Sequence, residues 1–427
     1  MSTHQTDLLA ELEARGLIHD TTDRHALAAR LDRGPLGVYV GFDPTADSLH
    51  VGHLLGQLTL RRFQLAGHRP VALAGGATGM VGDPGGRSEE RNLLDAQTLA
   101  HNLERISHQL QRLLDFDDGP YQASLVNNAT WTAPLGVLEF LRDVGKHVTV
   151  NAMLAKESVR SRIEGEHGIS YTEFSYMLLQ ANDFRHLYEH HGVEMQMGGS
   201  DQWGNITAGI DLVRRRVGAI AHGLTWPLLL KSDGTKFGKT AEGAVWLDPD
   251  KTSPYQFRQF WVQTDDQTIE SVLPRCSLAS LDEISSVLET HRTAPEHRRA
   301  QRYLADELTE LVHGTDAARA ARGAAEVLFG GDPLRASEEA LEAVAREVTT
   351  SDWQSEDLHD PVGVIVGTGL ASSKGEARRL LEQGGIRANG LVIRADARLD
   401  AAERLHGRWL LLQRGRTSHH LVKISGV

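Results

Sequence analysis

The sequence predicts an α/β protein with a parallel sheet, followed by a helical region and a small, separately charged C-terminal module. Short apolar segments at 38–42, 70–74 and 124–127 alternate with helical periodicity at 49–64 and 95–114. Strands that alternate with helices favour a parallel sheet whose ligands bind at the carboxyl ends of the strands. The length of 427 residues and the apolar fraction of 40% allow two or three domains, each with its own core.

Composition excludes several classes of protein. A single cysteine, Cys276, leaves no partner for an intrachain disulfide and argues against a cysteine-based metal site. Residues 1–15 carry charged side chains among short apolar stretches and lack the basic start and continuous apolar core of a secretory signal. Because no run of about 18 apolar residues occurs, a membrane span is not expected. We therefore expect a cytoplasmic protein without a membrane partner.

Charge is distributed unevenly along the chain. The whole chain carries a net charge of −12, yet residues 361–427 contain 11 Lys and Arg against 5 Asp and Glu, a net charge of +6. A basic module on an acidic body suggests contact with an anion, most simply the phosphates of RNA or DNA. Local compositional scatter would give the same numbers, so charge alone does not decide between the two interpretations.

A phosphate-binding arrangement is predicted where the first strand meets the following helix. The turn contains Thr45, and the helix begins near His50. A helix N-terminus offers unpaired N–H groups and the positive end of its dipole, and Gly52 allows close approach of the backbone. His50 and His53 lie three residues apart on one face of the first turn. Because this pair lacks a third ligand at a recognisable spacing, we expect no zinc and no structural metal.

A second segment, 231–240, concentrates lysines and small residues. Lys236, Lys239 and Thr240 can donate hydrogen bonds to phosphate from what we expect to be a mobile loop. A P-loop needs four residues between its glycines, whereas Gly234 and Gly238 enclose only three, and a strand-like segment follows where a P-loop has a helix. Alone, the segment is an ordinary solvated charge cluster, and it acquires meaning only beside the first motif.

The two segments resemble the HIGH and KMSKS signatures of class I aminoacyl-tRNA synthetases. They read His-Val-Gly-His at 50–53 and Lys-Phe-Gly-Lys-Thr at 236–240. More narrowly, the chain is similar to bacterial tyrosyl-tRNA synthetases from near its N-terminus to its last residues. Three motifs carry this resemblance in order: Tyr-Val-Gly-Phe-Asp-Pro-Thr at 39–45, Gly-Gly-Ser-Asp-Gln-Trp-Gly-Asn at 198–205, and Asp-Gly-Thr-Lys-Phe-Gly-Lys-Thr at 233–240.

The resemblance also implies a division into domains. A polar, acidic stretch from 331 to 360 is interpreted as a linker region with a helix inside it. The implied divisions are a Rossmann-like catalytic domain at 1–230 with an inserted dimerisation segment at about 121–196, a KMSKS-type mobile loop and strand at 231–250, an α-helical domain at 251–330, and a small α+β RNA-binding domain of the S-four type at 361–427.

The implied reaction is attack of the tyrosine carboxylate on the α-phosphate of ATP, supplied with Mg²⁺, and release of pyrophosphate. A carboxylate is already a nucleophile, so catalysis would depend on positioning and on stabilising charge that develops on phosphate oxygens. The implied catalytic residues are Thr45, His50, His53, Lys236, Lys239 and Thr240. The implied ATP-binding residues are Gly41, Gly52, His53, Gly199, Asp201, Lys239, Arg87 and Arg91.

Tyr176, Gln180 and Asp183 fall at i, i+4 and i+7, which places them on one face of a predicted helix. Geometry alone favours a partly exposed polar face over a pocket. The resemblance instead implies that Tyr39 and Asp183 bind the phenol oxygen of tyrosine and that Asp43, Tyr176 and Gln180 surround its ammonium group. The complete tyrosine-binding set implied in this way is Tyr39, Asp43, Tyr176, Gln180, Asp183, Gln196 and Gln202.

The basic module contains a predicted helix at 371–381 with Lys374, Arg378 and Arg379 toward its exposed side. A solvated helix with ordinary surface charge is the usual explanation of such a pattern. The net charge of 361–427 and the order of elements favour RNA, and the resemblance implies an S-four type domain that binds it. The expected partners are L-tyrosine, tRNA(Tyr) and, from the resemblance only, a second copy of the chain in a homodimer.

Three alternative functions stay open at this point. A small nucleotidyltransferase that makes a cofactor would share the His-x-Gly-His fold but lack the basic C-terminal module. A tryptophan-activating synthetase is disfavoured by Tyr39 together with Asp183. An RNA-binding regulator with an inactive synthetase body is disfavoured because both phosphate-binding motifs are intact.

Overall fold

The structure is a computed structural model that describes residues 7–84, 94–165, 168–230, 234–235, 237–240 and 243–425, without the side chains of 157–158, 239–240 and 401. The chain forms two compact units. The first contains Met1–Lys251 and Val262–Leu304, and the second contains Thr252–Trp261 and Ala305–Val427. In the part of the chain described, no helix is long and apolar enough to cross a membrane.

The strands, in chain order, are β1 (Asp20–Thr21), β2 (Gly37–Phe42), β3 (Arg69–Ala74), β4 (Ser124–Asn127), β5 (Val193–Gly199), β6 (His222–Trp226), β7 (Lys239–Thr240), β8 (Gly243–Ala244), β9 (Thr349–Gln354), β10 (Ile386–Ala388), β11 (Leu391–Val392), β12 (Trp409–Arg414) and β13 (Ser418–Ser425). The helices are α1 (Leu8–Ala14), α2 (Arg24–Leu31), α3 (Val51–Leu65), α4 (Ala96–Leu113), α5 (Ala129–Thr132), α6 (Val137–Asp143), α7 (Val150–Leu154), α8 (Glu157–Ile163), α9 (Tyr171–His191), α10 (Trp203–Val217), α11 (Pro254–Val262), α12 (Asp266–Cys276), α13 (Leu281–Thr293), α14 (Arg299–His313), α15 (Thr315–Leu328), α16 (Glu338–Glu347), α17 (Pro361–Gly367) and α18 (Lys374–Glu382).

The first unit is built on a six-stranded sheet in the order β1-β6-β5-β2-β3-β4. Strands β2 to β6 run parallel, and only β1 is antiparallel, at the edge beside β6. The predicted α/β fold class with a parallel sheet is therefore confirmed. Strand β2 is central and nearly all of its residues are buried, which is why its sequence is a continuous apolar run without polar alternation.

Helices α9 and α10 cover one side of the central strands. Tyr39 of β2, Phe184 of α9 and Val213 of α10 belong to one buried cluster with residues of β3 and β5. The rings of Tyr39 and Phe184 lie 5.4 Å apart between centroids. This packing directs the other face of α9 toward the carboxyl ends of the strands, where ligands bind in such sheets.

The segment between β4 and β5 spans residues 128–192 and lies within the predicted insertion. The predicted boundaries of about 121–196 also include β4 and the first residues of β5, which belong to the sheet. A buried ion pair between Arg162 and Glu173, 2.8 Å apart, ties α8 to the first turn of α9. Arg162 Nε also donates to the Gly168 carbonyl at 3.1 Å, so one guanidinium group contacts both the first turn of α9 and a residue shortly before it.

The second unit contains a five-stranded sheet in the order β11-β10-β12-β13-β9, with α17 and α18 packed on one core. Strand β9 pairs parallel with β13 over six residues. The interpretation of 331–360 as a linker region is therefore wrong for 349–354, which are part of this sheet. Strand β9 is an edge strand of polar sequence with no buried residue, so it lacks the apolar pattern by which a strand is recognised.

Candidate active site

A cavity of about 310 Å³ opens at the carboxyl ends of β2 and β5. It is lined by most of the residues predicted for tyrosine and ATP: Tyr39, Gly41, Asp43, Thr45, His50, Gly52, His53, Tyr176, Gln180, Asp183, Gln196, Gly199, Asp201 and Gln202. Residues 39 to 53 reach it from β2 and the start of α3, whereas 176 to 183 reach it from α9. The remaining residues, 196 to 202, reach it from β5 and the turn after it, so the structure brings together three predicted segments that are distant in the sequence.

Several predicted residues are not placed by the structure. Arg87, Arg91 and Lys236 lie outside the described residues, and the side chains of Lys239 and Thr240 are not described. The backbone of the last two forms β7, which pairs antiparallel with β8. Lys374, Arg378 and Arg379 are exposed on α18 of the second unit.

His50 begins helix α3 as its N-cap. Its Nδ1 accepts a hydrogen bond from the Gly52 N–H at 3.0 Å, and the His53 Nδ1 accepts from the His50 N–H at 3.2 Å. This reciprocal capping box satisfies two of the N–H groups that a helix start leaves unpaired. The two rings stack with centroids 4.0 Å apart.

The capping bonds also determine which nitrogens can face a ligand. Because each Nδ1 accepts a hydrogen bond, the neutral imidazoles of His50 and His53 carry their protons on Nε2. Both rings border the cavity. Gly52 permits this position of the His50 ring, since a Cβ at residue 52 would lie 2.8 Å from His50 Cε1.

Asp183 forms the buried end of the cavity. Its Oδ2 accepts from Asn128 Nδ2 at 2.9 Å, and its Oδ1 accepts from Trp131 Nε1 at 2.8 Å. Burial raises the pKa of Asp183 to about 7, although the hydrogen bonds from Asn128 and Trp131 favour the ionised form. The charge of Asp43 adds to the increase. The result is a buried carboxyl group held in one orientation by two donors.

Tyr39 faces the same end of the cavity. Burial, with a smaller contribution from the charge of Asp183, raises the pKa of the Tyr39 hydroxyl well above its usual value. The hydroxyl therefore stays protonated, and it is buried without a hydrogen-bond partner among the described residues. Gln180 Oε1 and Gln196 Oε1, which belong to residues that line the same cavity, are also buried and have no hydrogen-bond partner among the described residues. Unpaired buried polar atoms are costly, and atoms that line a cavity can be satisfied by a ligand.

Asp43 is the centre of a second polar group. Tyr176 Oη donates to Asp43 Oδ2 at 2.8 Å, and Thr78 Oγ1 donates to Asp43 Oδ1 at 2.6 Å. Asn128 Nδ2 lies 3.0 Å from Thr78 Oγ1 and connects this group to Asp183. Burial, followed by the charge of Asp43, raises the pKa of Tyr176 well above its usual value, so this hydroxyl also remains a donor.

Four residues of this network were not found by sequence analysis: Thr78, Asp83, Asn128 and Trp131. Asp83 lines the cavity and accepts from Gln202 Nε2 at 2.7 Å, and Gln202 in turn accepts from Gln180 Nε2 at 3.3 Å. All four residues follow β3 or β4 in the chain. Their position after strands of a parallel sheet was a usable signal, because ligands collect at that edge.

No group of three or more His, Cys, Asp or Glu side chains is placed to hold a metal ion within the described ranges. The cavity instead offers separate functions along its length. A buried carboxyl and a phenol lie at one end, two further carboxylates lie in the middle, and histidine N–H groups lie at a helix N-terminus near the other. Such an arrangement suits a ligand that carries a hydroxyl, a cation and a phosphate.

Comparison with known proteins agrees with this geometry. Residues 31–330 match the model of the family described as tRNA synthetases class I (W and Y), and residues 340–422 match a tyrosine–tRNA ligase SYY-like C-terminal domain. The tyrosine–tRNA ligase of Opitutus terrae is 53% identical over 423 residues, which cover 98% of this chain and 99% of that protein. The chain belongs to the tyrosine–tRNA ligase family of class I tRNA synthetases.

Other members of the family extend the comparison. The tyrosine–tRNA ligase of Geobacillus stearothermophilus is 49% identical over 419 residues, covering 98% of this chain and 99% of the relative. A solved structure, a C-terminally truncated mitochondrial tyrosyl-tRNA synthetase of Aspergillus nidulans, has a TM-score of 0.69 and 34% identity. It covers 76% of this chain and 94% of its own length. The family membership thus covers both the sheet unit and the C-terminal part of the chain.

Proposed function

We propose that the chain activates L-tyrosine with ATP to form tyrosyl-adenylate and pyrophosphate, and then transfers tyrosine to the 3′ end of tRNA(Tyr). The observation that carries the choice of amino acid is the pair formed by the Tyr39 hydroxyl and the Asp183 carboxyl at the buried end of the cavity. The substrate phenol would donate to Asp183 and accept from Tyr39. Phenylalanine would leave the Tyr39 hydroxyl without a partner and would deprive the buried Asp183 carboxyl of the donor that the phenol supplies, which gives the site its selectivity.

The ammonium group of tyrosine is assigned to the middle of the cavity. Asp43 is oriented by Tyr176 and Thr78, and Asp83 by Gln202, so two carboxylates face a position that a cation would occupy. Gln180 and Gln196 supply further oxygens for the amino acid. The assignment of Asp83 goes beyond the residues found in the sequence.

ATP is assigned to the end of the cavity formed by the start of α3. The donors are Thr45 and the Nε2–H groups of His50 and His53, with Gly41, Gly52 and Gly199 allowing close approach and Asp201 facing the ribose. Lys236, Lys239, Thr240, Arg87 and Arg91 are assigned to the leaving pyrophosphate from sequence resemblance alone. Mg²⁺ is proposed as the counter-ion that ATP brings to the site, and it is therefore part of the substrate.

The mechanism then needs no general base. The tyrosine carboxylate is the nucleophile, and the chain holds it in line with the α-phosphate while donors at the helix start stabilise charge on the departing pyrophosphate. Stabilising interactions that strengthen only in the transition state raise the rate without tightening substrate binding. His50 and Thr45 are proposed to act in this way.

Two further proposals concern partners. Lys374, Arg378 and Arg379 are exposed and have no carboxylate partner among the described residues, so they are available to RNA phosphates. The insertion between β4 and β5 exposes apolar side chains, and we assign it to the interface of a homodimer. The exposed apolar residues of the insertion are Val137, Leu138, Leu141, Val150, Leu154, Ile163 and Tyr171. A cytoplasmic location accompanies a role in translation and remains a prediction.

Amino-acid-dependent ATP–pyrophosphate exchange tests the proposal directly. Exchange should require tyrosine, and phenylalanine and tryptophan in parallel reactions should give almost none. Exchange with tryptophan would favour the related activity, exchange without an amino acid would favour a cofactor-forming nucleotidyltransferase, and no exchange at all would favour an inactive, RNA-binding protein.

A further inference from the structure

A row of three side chains leads from the protein surface to the ring of His50. Lys251 Nζ lies 2.5 Å from Asp47 Oδ1 and 5.2 Å from the centroid of the Trp246 ring, over its face. The Trp246 ring in turn lies 6.0 Å from the His50 ring, tilted by 59°. Asp47, Lys251 and Trp246 thus form a continuous support behind the imidazole, and we call these three residues the His50 brace.

The backbone places Trp246 opposite His50. Leu247 N donates to the Leu49 carbonyl at 2.9 Å, and Val51 N donates to the Val245 carbonyl at 2.9 Å. These two bonds make an isolated antiparallel bridge between His50 and Trp246. The chain from 245 to 247 directly follows the β7–β8 hairpin, so this short bridge attaches the region of the second signature motif to the start of α3.

Among the described residues, Gly52, His53 and Trp246 all border the imidazole of His50. Its Nδ1 is held by the Gly52 N–H and one ring face rests on His53, while Trp246 borders it from another direction. The Nε2–H donor is effective only if the ring keeps its angle, because a displacement of about 1 Å at a catalytic group can cost roughly 10²-fold in rate. A ring supported from several sides is held more closely than one supported by its own helix alone.

We propose that the His50 brace positions the His50 imidazole for the phosphate end of ATP, so that Asp47, Lys251 and Trp246 are positioning residues of adenylate formation. The proposal rests on the proposed function of His50. The side chains of Asp47 and Lys251 are 32% and 34% exposed, so their ion pair adds little to the stability of the fold. Its structural consequence is to fix the ammonium group over Trp246, and so to restrict the tryptophan that borders His50.

The experiment is a double-mutant cycle on the full chain. Lys251→Met keeps the alkyl stem on Trp246 but removes the charge. We expect it to slow single-turnover formation of tyrosyl-adenylate about 3- to 5-fold, the size of one exposed cation–π contact. In a His50→Ala background the same substitution should have no further effect, because the group that it positions is missing. The dissociation constant for tyrosine should be unchanged in all four proteins.

A second pair of variants separates positioning from general damage. Asp47→Asn should reproduce the effect of Lys251→Met, and Lys251→Arg, which retains the cation, should restore most of the rate. Arg292→Met, which breaks the exposed ion pair with Glu270, is the matched control and should leave the rate unchanged. Thermal melting of each variant tests whether the fold is intact.

The outcomes are distinguishable. Equal slowing by Lys251→Met with and without His50 would overturn the proposal, as would an unchanged rate or a tyrosine affinity that weakens by the same factor as the rate. If the unmodified chain shows no tyrosine-dependent exchange, the proposed function itself fails. If the unmodified chain shows normal exchange but the effects of the Lys251 and His50 substitutions are additive, only the positioning role of the His50 brace is wrong.

Discussion

At the scale of single residues, the buried carboxyl group of Asp183 has a pKa well above that of an ordinary aspartate. Its pKa of about 7 arises from burial, so the folded protein binds a proton there more readily than the unfolded chain does. The apo protein therefore loses stability as the pH rises from the ordinary carboxyl range through about 7, because a buried charge then forms. A phenol hydroxyl that donates to this charge offsets the cost.

We therefore predict that tyrosine binds more weakly as the pH falls through about 7 and Asp183 becomes protonated. The pH dependence arises because only the ionised carboxyl can accept hydrogen bonds from Asn128, from Trp131 and from the substrate hydroxyl at the same time. Isothermal titration calorimetry without ATP, at constant ionic strength across this range, measures the effect. Asp183→Asn, which cannot ionise, should bind weakly and show no inflection. A pH-independent dissociation constant in the unmodified chain would contradict the role of Asp183.

His50 has two functions that substitutions can separate. His50→Ala should slow adenylate formation about 10²–10³-fold, the usual cost of losing one transition-state donor, with little change in tyrosine affinity. It should also destabilise α3 by about 1 kcal/mol through loss of the cap. His50→Asn retains a capping side chain but not the Nε2–H donor. It should therefore restore the stability of the unmodified chain but not its rate of adenylate formation. Thermal melting with single-turnover kinetics tests both, and a normal rate in either variant would refute the catalytic role.

The network around Asp183 illustrates what a sequence can and cannot reveal about a site. Tyr176, Gln180 and Asp183 were placed on one helix face by their spacing, and they do line one cavity. The burial of Asp183 was not predictable from that spacing, because its carboxyl group is held by Asn128 and Trp131, which follow β4 and are distant in the chain. Asp83 was overlooked for the same reason: its neighbour Gln202 comes from another strand end.

At the scale of elements, the parallel strands β2, β3 and β4 were predicted from their short apolar sequences. The parallel strands β5 and β6 were not predicted, because polar residues such as Gln196 and His222 interrupt their apolar runs. Strand β9 was not predicted, since its mostly polar sequence resembles an exposed connection. The edge strand β1 has only two residues, too few for any periodicity. Elements whose formation depends on a partner strand are therefore the ones that local sequence patterns miss.

The start of α3 gives a prediction in which packing opposes helix propensity. Alanine is a better helix former than glycine, yet a Cβ at Gly52 would lie 2.8 Å from His50 Cε1 and 3.0 Å from its Nδ1. We expect Gly52→Ala to displace the imidazole and to slow pyrophosphate exchange about 10²-fold. Gly375→Ala is the matched control, at the same position of α18 with open space around it, and it should leave exchange unchanged. Equal activity of the two variants would mean that the ring of His50 tolerates the extra carbon.

At the scale of the whole molecule, the insertion predicts an assembly. Leu138 is 82% exposed on α6, so its replacement by a charged residue should not disturb the fold of one chain. If α6 belongs to a homodimer interface, Leu138→Glu should shift the protein from dimer to monomer in sedimentation equilibrium. Glu139→Lys on the neighbouring position serves as a control for charge change alone. If the unmodified chain is itself a monomer in the same experiment, the proposal of a homodimer is wrong.

The two units also predict that activation and tRNA charging are separable. Replacing Lys374, Arg378 and Arg379 of α18 by alanine should leave tyrosine-dependent exchange unchanged, because the cavity lies wholly in the first unit. The same variant should bind tRNA(Tyr) more weakly, and the slope of its salt dependence should fall by roughly one unit for each phosphate that is no longer neutralised. Filter binding across a salt series and aminoacylation at limiting tRNA measure this.

The control for that experiment removes an equal number of positive charges elsewhere. Arg292, Arg319 and Arg335 are exposed, and each pairs with a nearby carboxylate, so they are less available to an RNA phosphate. Their triple alanine variant should keep the salt slope of the unmodified chain. If both triple variants reduce tRNA affinity equally, binding responds to net charge alone and α18 has no specific role. A difference confined to the α18 variant locates the RNA contact on one helix face, where the sequence first suggested it.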